Sequence, residues 1–247
     1  MDPLIGLASL AGLSLFLSRA LRRSASLMPL VAVSAAMLWF TLFGMAGLLR
    51  VGGWLWYVGC AAATGWVVYK ERRAVLRRFT PGFLFFAGVG AFFILLFYFT
   101  KPMFTQWDEF TFWSTAGNVT TETHQLYTTA QSNLIARSYP PGLIVLGYMM
   151  QFFGGGFAEY KFIAAYAILY LAAFAAASAL WDKTRAGAAV ALAGFFLLPF
   201  VFETGEAGVM SWAYLSTMAD AALAALFGGA LALWFGGGKK SGRMLVA

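Results

Sequence analysis

The stretch PPGLIVLGYMMQFF, residues 140–153, decides how this chain is organised. It is apolar almost throughout, yet it is shorter than the roughly 20 residues that a helix needs to cross about 30 Å of hydrocarbon. Two prolines begin it, and proline suits the first turn of a helix, where its missing N–H would be unpaired in any case. We therefore predict a short juxtamembrane or re-entrant helix that does not cross the membrane.

Seven other apolar runs surround this stretch, and each predicts a membrane helix, the first of them rather short. Hydrophobic residues make up 61% of the chain and charged residues 11%, whereas soluble domains are about half apolar and about a quarter charged. No alternating pattern of a β-barrel competes with the helical runs. We predict an all-α, polytopic transmembrane helical bundle, with about seven spans at residues 4–18, 27–49, 51–69, 81–100, 160–181, 186–202 and 221–235.

Basic residues cluster beside the ends of these runs. If residues 140–153 do not cross, all four clusters fall on one side, which the positive-inside rule makes cytoplasmic. The amino terminus is then outside, and the net charge of +7 reflects membrane topology instead of nucleic-acid binding. The clusters are Arg19, Arg22 and Arg23; Lys70, Arg72, Arg73, Arg77 and Arg78; Lys183 and Arg185; and Lys239, Lys240 and Arg243.

Most acidic residues sort to the opposite, outer side. Acidic loop residues contribute little to the orientation of a membrane protein, so their segregation calls for another explanation. We predict that the outer side carries the functional site. The acids concerned are Asp2, Asp108, Glu109, Glu122, Glu159, Glu203, Glu206 and Asp220.

The main outer segment, residues 101–139, is long for a connection without a function. It belongs to a predicted second membrane module, residues 80–247, which follows an amino-terminal three-helix segment, residues 1–79. It contains WDEFTFW, residues 107–113, in which Asp108 and Glu109 lie between aromatic residues. We expect Trp107 and Trp113 to hold the segment at the membrane interface.

Two interpretations of this acid pair stay open. Partial desolvation beside aromatic surface would raise the pKa of a carboxylate and make it a better general base near neutral pH. Alternatively, both acids are solvated and only keep the loop outside. Two interpretations of Asp220, at the start of the last apolar run, also stay open. Its side chain faces a water-filled cavity, or it caps the helix and stabilises it by about 1 kcal/mol.

Three short motifs occur in a fixed order: the acid pair in the outer segment, then YPPGLIVLGYMMQFF, then a carboxylate in MADAALAALFGGALALWF. This order resembles the GT-C superfamily, integral membrane glycosyltransferases that use polyprenyl-phosphate-linked sugars and include protein mannosyltransferase and aminoarabinose transferase types. The resemblance covers roughly residues 83–235. Three helices precede the matching region, and typical members continue through further spans, so we expect either a fragment or a minimal relative.

The resemblance implies inverting transfer of a sugar from a polyprenyl-phosphate donor in the membrane lipid to an acceptor glycan, lipid or protein on the extracytoplasmic face. It implies Asp108 as the catalytic base, Glu109 beside it, and Asp220 as the second acid of the site. The cofactor stays open between none and a divalent metal ion, which takes oxygen ligands. The predicted substrate-binding residues are Trp107, Trp113, His124, Arg137, Tyr139 and Lys161, with Arg137 and Lys161 as candidate phosphate ligands.

Two other classes of function compete with the transferase. A transporter subunit would place ionisable residues in the middle of its spans, whereas these acids gather at one boundary. A non-catalytic membrane scaffold would use the aromatic residues of the outer loop as anchors for a partner. A metalloprotease is disfavoured, because His124 is the only histidine and the usual motif needs two.

Overall fold

The computed structural model describes residues 2–129, 139–181, 184–202, 214, 215, 217 and 219–236. Within these residues the chain forms helices and turns and no strand, which confirms the all-α prediction. The α-helices are α1 (Asp2–Leu21), α2 (Met28–Met45), α3 (Leu49–Glu71), α4 (Pro81–Thr100), α5 (Ser114–Thr123), α6 (Gly142–Gln151), α7 (Glu159–Ser178), α8 (Arg185–Phe202) and α9 (Ala219–Gly236).

Among the described residues, five helices are long and apolar enough to cross a membrane. They are α1, α2, α3, α4, and α7 together with the 3-10 turn that continues it to Trp181. Each holds an apolar stretch of about the length that a bilayer core requires. The chain is therefore an integral membrane protein built as a helical bundle.

Helix α7 lies at the centre of the bundle. Every residue from Lys161 to Ala173 is buried, as expected of a helix that is apolar on all sides. Its many alanines allow neighbouring helices to approach closely, and it contacts α1, α2, α4, α6, α8 and α9. The hydrophobic core around it includes side chains from both predicted segments, residues 1–79 and 80–247.

One end of the bundle collects acidic residues, and we call it the acidic end. There the Lys161 ammonium lies 2.5 Å from the Asp2 carboxylate, which joins the first turns of α1 and α7. The Glu159 carboxylate accepts a hydrogen bond of 2.7 Å from the backbone N–H of Phe104, just beyond the end of α4. The chain therefore leaves α4 and enters α7 at the same end.

The opposite end carries the arginines of the first two basic clusters, and we call it the basic end. The Glu71 carboxylate accepts hydrogen bonds of 2.6 Å from both Arg19 and Arg78, so it joins the ends of α1 and α3 to the 3-10 turn before α4. Ser26 lies just before α2, and its hydroxyl donates a hydrogen bond of 2.7 Å to the hydroxyl of Thr80 at the start of α4.

The short helix α6 is surrounded by protein. All residues from Leu143 to Gln151 are buried, and α6 contacts α1, α2, α5 and α7. A ten-residue helix is only about 15 Å long, and the segment between α4 and α7 begins and ends at the acidic end. Helix α6 is therefore packed inside the bundle, within a segment that starts and finishes at the acidic end.

Close contact between α6 and α7 depends on Gly147. A Cβ atom built on Gly147 would lie 2.2 Å from the ring of Phe162, so we expect Gly147→Ala to destabilise the protein by about 1–3 kcal/mol through overpacking. That effect opposes a gain of about 1 kcal/mol in helix propensity. The measurement is the melting temperature of purified protein in detergent.

Gly88→Ala in α4 is the matched control. Nothing lies within 4 Å of a Cβ at Gly88, so only the gain in helix propensity remains, and we expect an unchanged or higher melting temperature. Equal melting temperatures for the two variants would contradict the close packing of α6 on α7.

Candidate functional site

The acid pair lies in a helical segment at the acidic end. After α4, residues Glu109–Trp113 form a π-helical turn that continues directly into α5. Such turns contain one residue more than an α-helical turn and occur frequently at functional sites. The predicted outer loop, residues 101–139, thus contains a helix that the sequence did not indicate.

Glu109 is fully buried, and hydrogen bonds surround its carboxylate. Oε2 accepts from the backbone N–H groups of Thr105 at 2.8 Å and Gln106 at 2.9 Å. Oε1 accepts from the backbone N–H of Thr217 at 2.6 Å and from its hydroxyl at 3.1 Å. Burial of a carboxylate is costly unless donors replace the lost water, and hydrogen bonds to an ionised acceptor are among the strongest in proteins.

These bonds bring two distant parts of the chain together. Thr217 lies just before α9, and Asp220 occupies the first turn of α9, where a negative charge is favoured by the helix dipole. Asp108 and Asp220 are both exposed. The predicted catalytic acids therefore belong to one junction, with Glu109 inside it and the other two facing outward.

The two tryptophans of WDEFTFW differ in their surroundings. Trp107, next to Asp108, is 78% exposed, as expected of an interfacial anchor. Trp113 is only 6% exposed, and its ring packs near those of Phe112 and Tyr139. The prediction that Trp113 anchors the segment at the membrane interface is wrong, because its side chain is packed inside the protein.

Lys161, a predicted phosphate ligand, is engaged within the protein. Its ammonium forms the ion pair with Asp2, and its side chain is largely buried. Gly154 leaves room for this pair, since a Cβ there would lie 2.6 Å from the Lys161 nitrogen. Lys161 thus joins α1 to α7, and a ligand would have to compete with Asp2 for it.

The remaining predicted ligands lie in the outer segment. His124 is half-buried, and its Nδ1 lies 3.0 Å from the Tyr148 hydroxyl. The backbone carbonyl of Tyr139 accepts a hydrogen bond from the Tyr127 hydroxyl, and its exposed ring contacts Phe112. Arg137 lies outside the described residues, as do Glu203 and Glu206.

Further acids of this end also accept backbone hydrogen bonds. Glu159 accepts a hydrogen bond from the backbone N–H of Phe104. The Glu122 carboxylate likewise accepts a hydrogen bond of 2.8 Å from the backbone N–H of Phe157. The sequence predicted that these acids gather at one end, but it did not indicate this use of them. In the described part of the chain, no three acidic, histidine or cysteine side chains are grouped as a metal site would require.

Thr217 is the residue of this site that the sequence analysis missed. A hydroxyl residue just before an apolar run is a common signal for the start of a helix, and "STMADAALAALF" offers that signal twice. The signal locates the end of a helix, but it does not reveal that the same threonine binds an acid far away in the sequence.

In comparisons with known proteins, no protein-family model, no curated protein and no solved structure matches this chain.

Substitution of the buried Glu109 and of the exposed Asp108 tests which of the two side chains stabilises the fold. Glu109→Gln replaces acceptor oxygen by an NH2 group that faces backbone N–H donors, so we expect a loss of about 1–3 kcal/mol in stability. Asp108→Asn changes an exposed group, and we expect a change within about 0.5 kcal/mol. Thermal unfolding of both variants in detergent makes the comparison. An unaltered melting temperature for Glu109→Gln would contradict the buried hydrogen-bonded carboxylate.

Proposed function

We propose that this chain is a membrane glycosyltransferase of the GT-C type. In this proposal it moves a sugar from a polyprenyl-phosphate donor to an acceptor at the acidic end. The observation that carries the proposal is the arrangement of the acid pair: Asp108 is exposed beside Glu109, whose buried carboxylate joins the pair to the start of α9, where Asp220 lies.

The location suits a donor whose lipid tail stays in the bilayer. Asp108 follows the end of α4 by a few residues, so it lies near the depth at which the sugar of a lipid-linked donor would be held. Trp107 is exposed next to it, and an exposed tryptophan favours the membrane interface. The backbone of this segment is fixed by the bonds to Glu109, and fixed geometry is what catalysis by positioning requires.

The proposed step is a single displacement. The Asp108 carboxylate accepts the proton of the acceptor hydroxyl while the acceptor oxygen forms a bond to the anomeric carbon. The bond from that carbon to the phosphate oxygen breaks on the opposite face, and the electron pair leaves with the polyprenyl phosphate. The sugar is transferred with inversion, and no covalent sugar intermediate forms.

The departing phosphate needs a positive partner. Lys161 is already paired with Asp2, which leaves Arg137 as the other cation predicted for this role. A divalent ion remains an alternative to it, since hard cations bind phosphate oxygens.

We infer that α8 and α9 also cross the membrane, which gives seven spans with the acidic end outside. Helix α8 starts close to the end of α7, where the Thr184 N–H bonds to the Trp181 carbonyl. Helix α9 starts beside Glu109, and a Cβ on its Gly229 would lie 2.4 Å from Leu30 of α2, near the basic end. Arginines at that end then face the cytoplasm.

A second candidate is a non-catalytic membrane scaffold. The observation that favours it is the use of acids as structural acceptors: Asp2, Glu109, Glu122 and Glu159 all bind groups of the chain itself. In a scaffold, Trp107 and Asp108 would contact a partner protein, and no donor lipid would be consumed.

The transferase proposal is tested with Asp108→Asn. Membranes that contain the wild-type chain are incubated with a panel of radiolabelled polyprenyl-phosphate sugars, and donor loss and polyprenyl-phosphate release are measured. We expect turnover of one donor by the wild type and at least about a 100-fold loss in the variant, because general-base catalysis contributes about that much or more.

Asn118→Ala, an exposed change in α5, is the control and should retain turnover. Turnover by the Asp108→Asn variant at the wild-type rate would exclude Asp108 as the base. No turnover of any donor by folded wild-type protein would favour the scaffold.

The orientation is tested by cysteine labelling in a Cys60→Ala background, which removes the buried native thiol. We expect Gln125→Cys to react with a membrane-impermeant maleimide in intact cells and Thr184→Cys to react only after permeabilisation. Both positions are exposed, at the acidic and basic ends respectively. Reaction of both from the same side would contradict the topology.

A further inference from the structure

The basic end of the bundle joins two of the basic clusters into one surface. Residues 19–23 and 70–78 together contain eight basic residues and a single acid, Glu71. The Glu71 carboxylate accepts hydrogen bonds of 2.6 Å from Arg19, near the end of α1, and from Arg78, in the 3-10 turn after α3. These bonds hold the turn that ends α1 against the turn that ends α3. Glu71 therefore offsets only part of the positive charge of this surface.

Arg22 occupies a backbone position where glycine is usual. The backbone N–H of Arg23 bonds to the carbonyl of Ser18 at 3.2 Å, and the N–H of Arg22 bonds to the carbonyl of Arg19 at 3.3 Å. These are the two hydrogen bonds of a Schellman motif, in which the left-handed residue is most often glycine. Arg22 is that residue, with φ of 53°. A residue with a Cβ atom adopts this conformation at a cost that glycine avoids.

Arg72 repeats this feature at the end of α3. Its φ is 44°, and its backbone N–H bonds to the carbonyl of Val68. The side chains of Arg22 and Arg72 are both exposed, and among the described residues neither forms an ion pair with a carboxylate. The helix dipole favours a cation at each of these helix ends, but it does not occupy the guanidinium donors. Both arginines can therefore bind a ligand.

Aromatic side chains lie beside these arginines. In the last turns of α3, Trp66 is 43% exposed and Tyr69 is 69% exposed. The Arg19 guanidinium lies 4.8 Å from the centre of the Trp66 ring. Exposed tryptophan and tyrosine favour the membrane interface, and the candidate spans α1, α3 and α4 all have one end here. The exposed cations are thus at the depth of the lipid headgroups.

We propose that the basic end binds anionic phospholipid and that Arg22 and Arg72 are among its headgroup ligands. Arginine binds phosphate through two parallel hydrogen bonds, and clusters of basic residues next to membrane spans attract anionic lipids. The partner is a lipid of the adjoining leaflet, because headgroups are concentrated where these side chains lie. The proposal is independent of sugar transfer, since this surface is at the end opposite Asp108.

Glycine substitution separates lipid binding from stability. In Arg22→Gly with Arg72→Gly, relief of the backbone conformation opposes the lost interaction with the helix dipole, so we expect a melting temperature near that of the wild type in zwitterionic detergent. Short-chain phosphatidylglycerol is then titrated, since a ligand of the native state raises the melting temperature. The lipid concentration at half of the rise gives the apparent affinity. We expect the double variant to bind at least about tenfold more weakly than the wild type, because each basic residue near the headgroups adds to the attraction.

Further variants serve as controls. Arg22→Lys with Arg72→Lys keeps both charges and should keep most of the response. Arg22→Gln and Arg72→Gln, each alone, should each weaken the response, so the test does not depend on one double variant. Lys101→Gly is the matched control, because Lys101 is also an exposed cation in the left-handed conformation after a helix, but at the acidic end. It should respond as the wild type does.

The choice of ligand tests the assignment to a lipid. Short-chain phosphatidylcholine, which has no net charge, and glycerol 3-phosphate, which has no acyl chains, should not reproduce the response to phosphatidylglycerol. An equal response to either of them would overturn the proposal. It would also be overturned by wild-type affinity in the double glycine variant, by an equal loss in Lys101→Gly, or by no response of the wild type to phosphatidylglycerol.

Discussion

A carboxylate removed from water must be met by hydrogen-bond donors, and in this protein the donors around Glu109 come from two places far apart in the sequence. Thr105 and Gln106 donate from the segment after α4, and Thr217 donates from the chain that enters α9. If either side were displaced, one oxygen of this buried side chain would lose its hydrogen-bond donors, which is costly in a protein interior. The hydrogen bonds to Glu109 therefore hold the segment after α4 against the start of α9. The positions of Asp108 and Asp220 follow from this contact.

The same use of acids recurs around this end. Asp2 joins α1 to α7 through Lys161, while Glu159 and Glu122 hold the chain on either side of α6 through backbone N–H groups. The described segments on both sides of α6 include backbone outside helices, and buried backbone groups there must be satisfied within the protein. The clustering of these acidic residues at one end of the bundle thus has a structural explanation. Asp108 and Asp220 differ from them because, among the described residues, their exposed carboxylates accept no hydrogen bond and form no ion pair, and this difference makes them the candidates for chemistry.

Much of the helical architecture could be predicted, because an apolar run of sufficient length has few alternatives in a membrane. The run at residues 81–100 coincides with α4, and the short run at residues 140–153 contains α6. Helix α5, with the sequence STAGNVTTET, carries no apolar periodicity and is held by packing of Ala116 and Gly117, so no local pattern indicated it. The partner of Glu109 was equally hidden, since Thr217 lies 108 positions further along the chain. Burial of Trp113 was equally hidden, because the rings of Tyr139 and Tyr166 that pack near it come from distant parts of the chain.

The central claim is that the buried Glu109 carboxylate binds the backbone on both sides of the acidic end. Amide hydrogen exchange of the wild-type protein in nanodiscs, resolved at single residues, tests it most directly. The account predicts that the amides of Thr105, Gln106 and Thr217 exchange slowly and with similar protection, although none of them lies within a long helix. Rapid exchange of Thr217, at the rate of an open loop, while the amides of α7 stay protected, would contradict it.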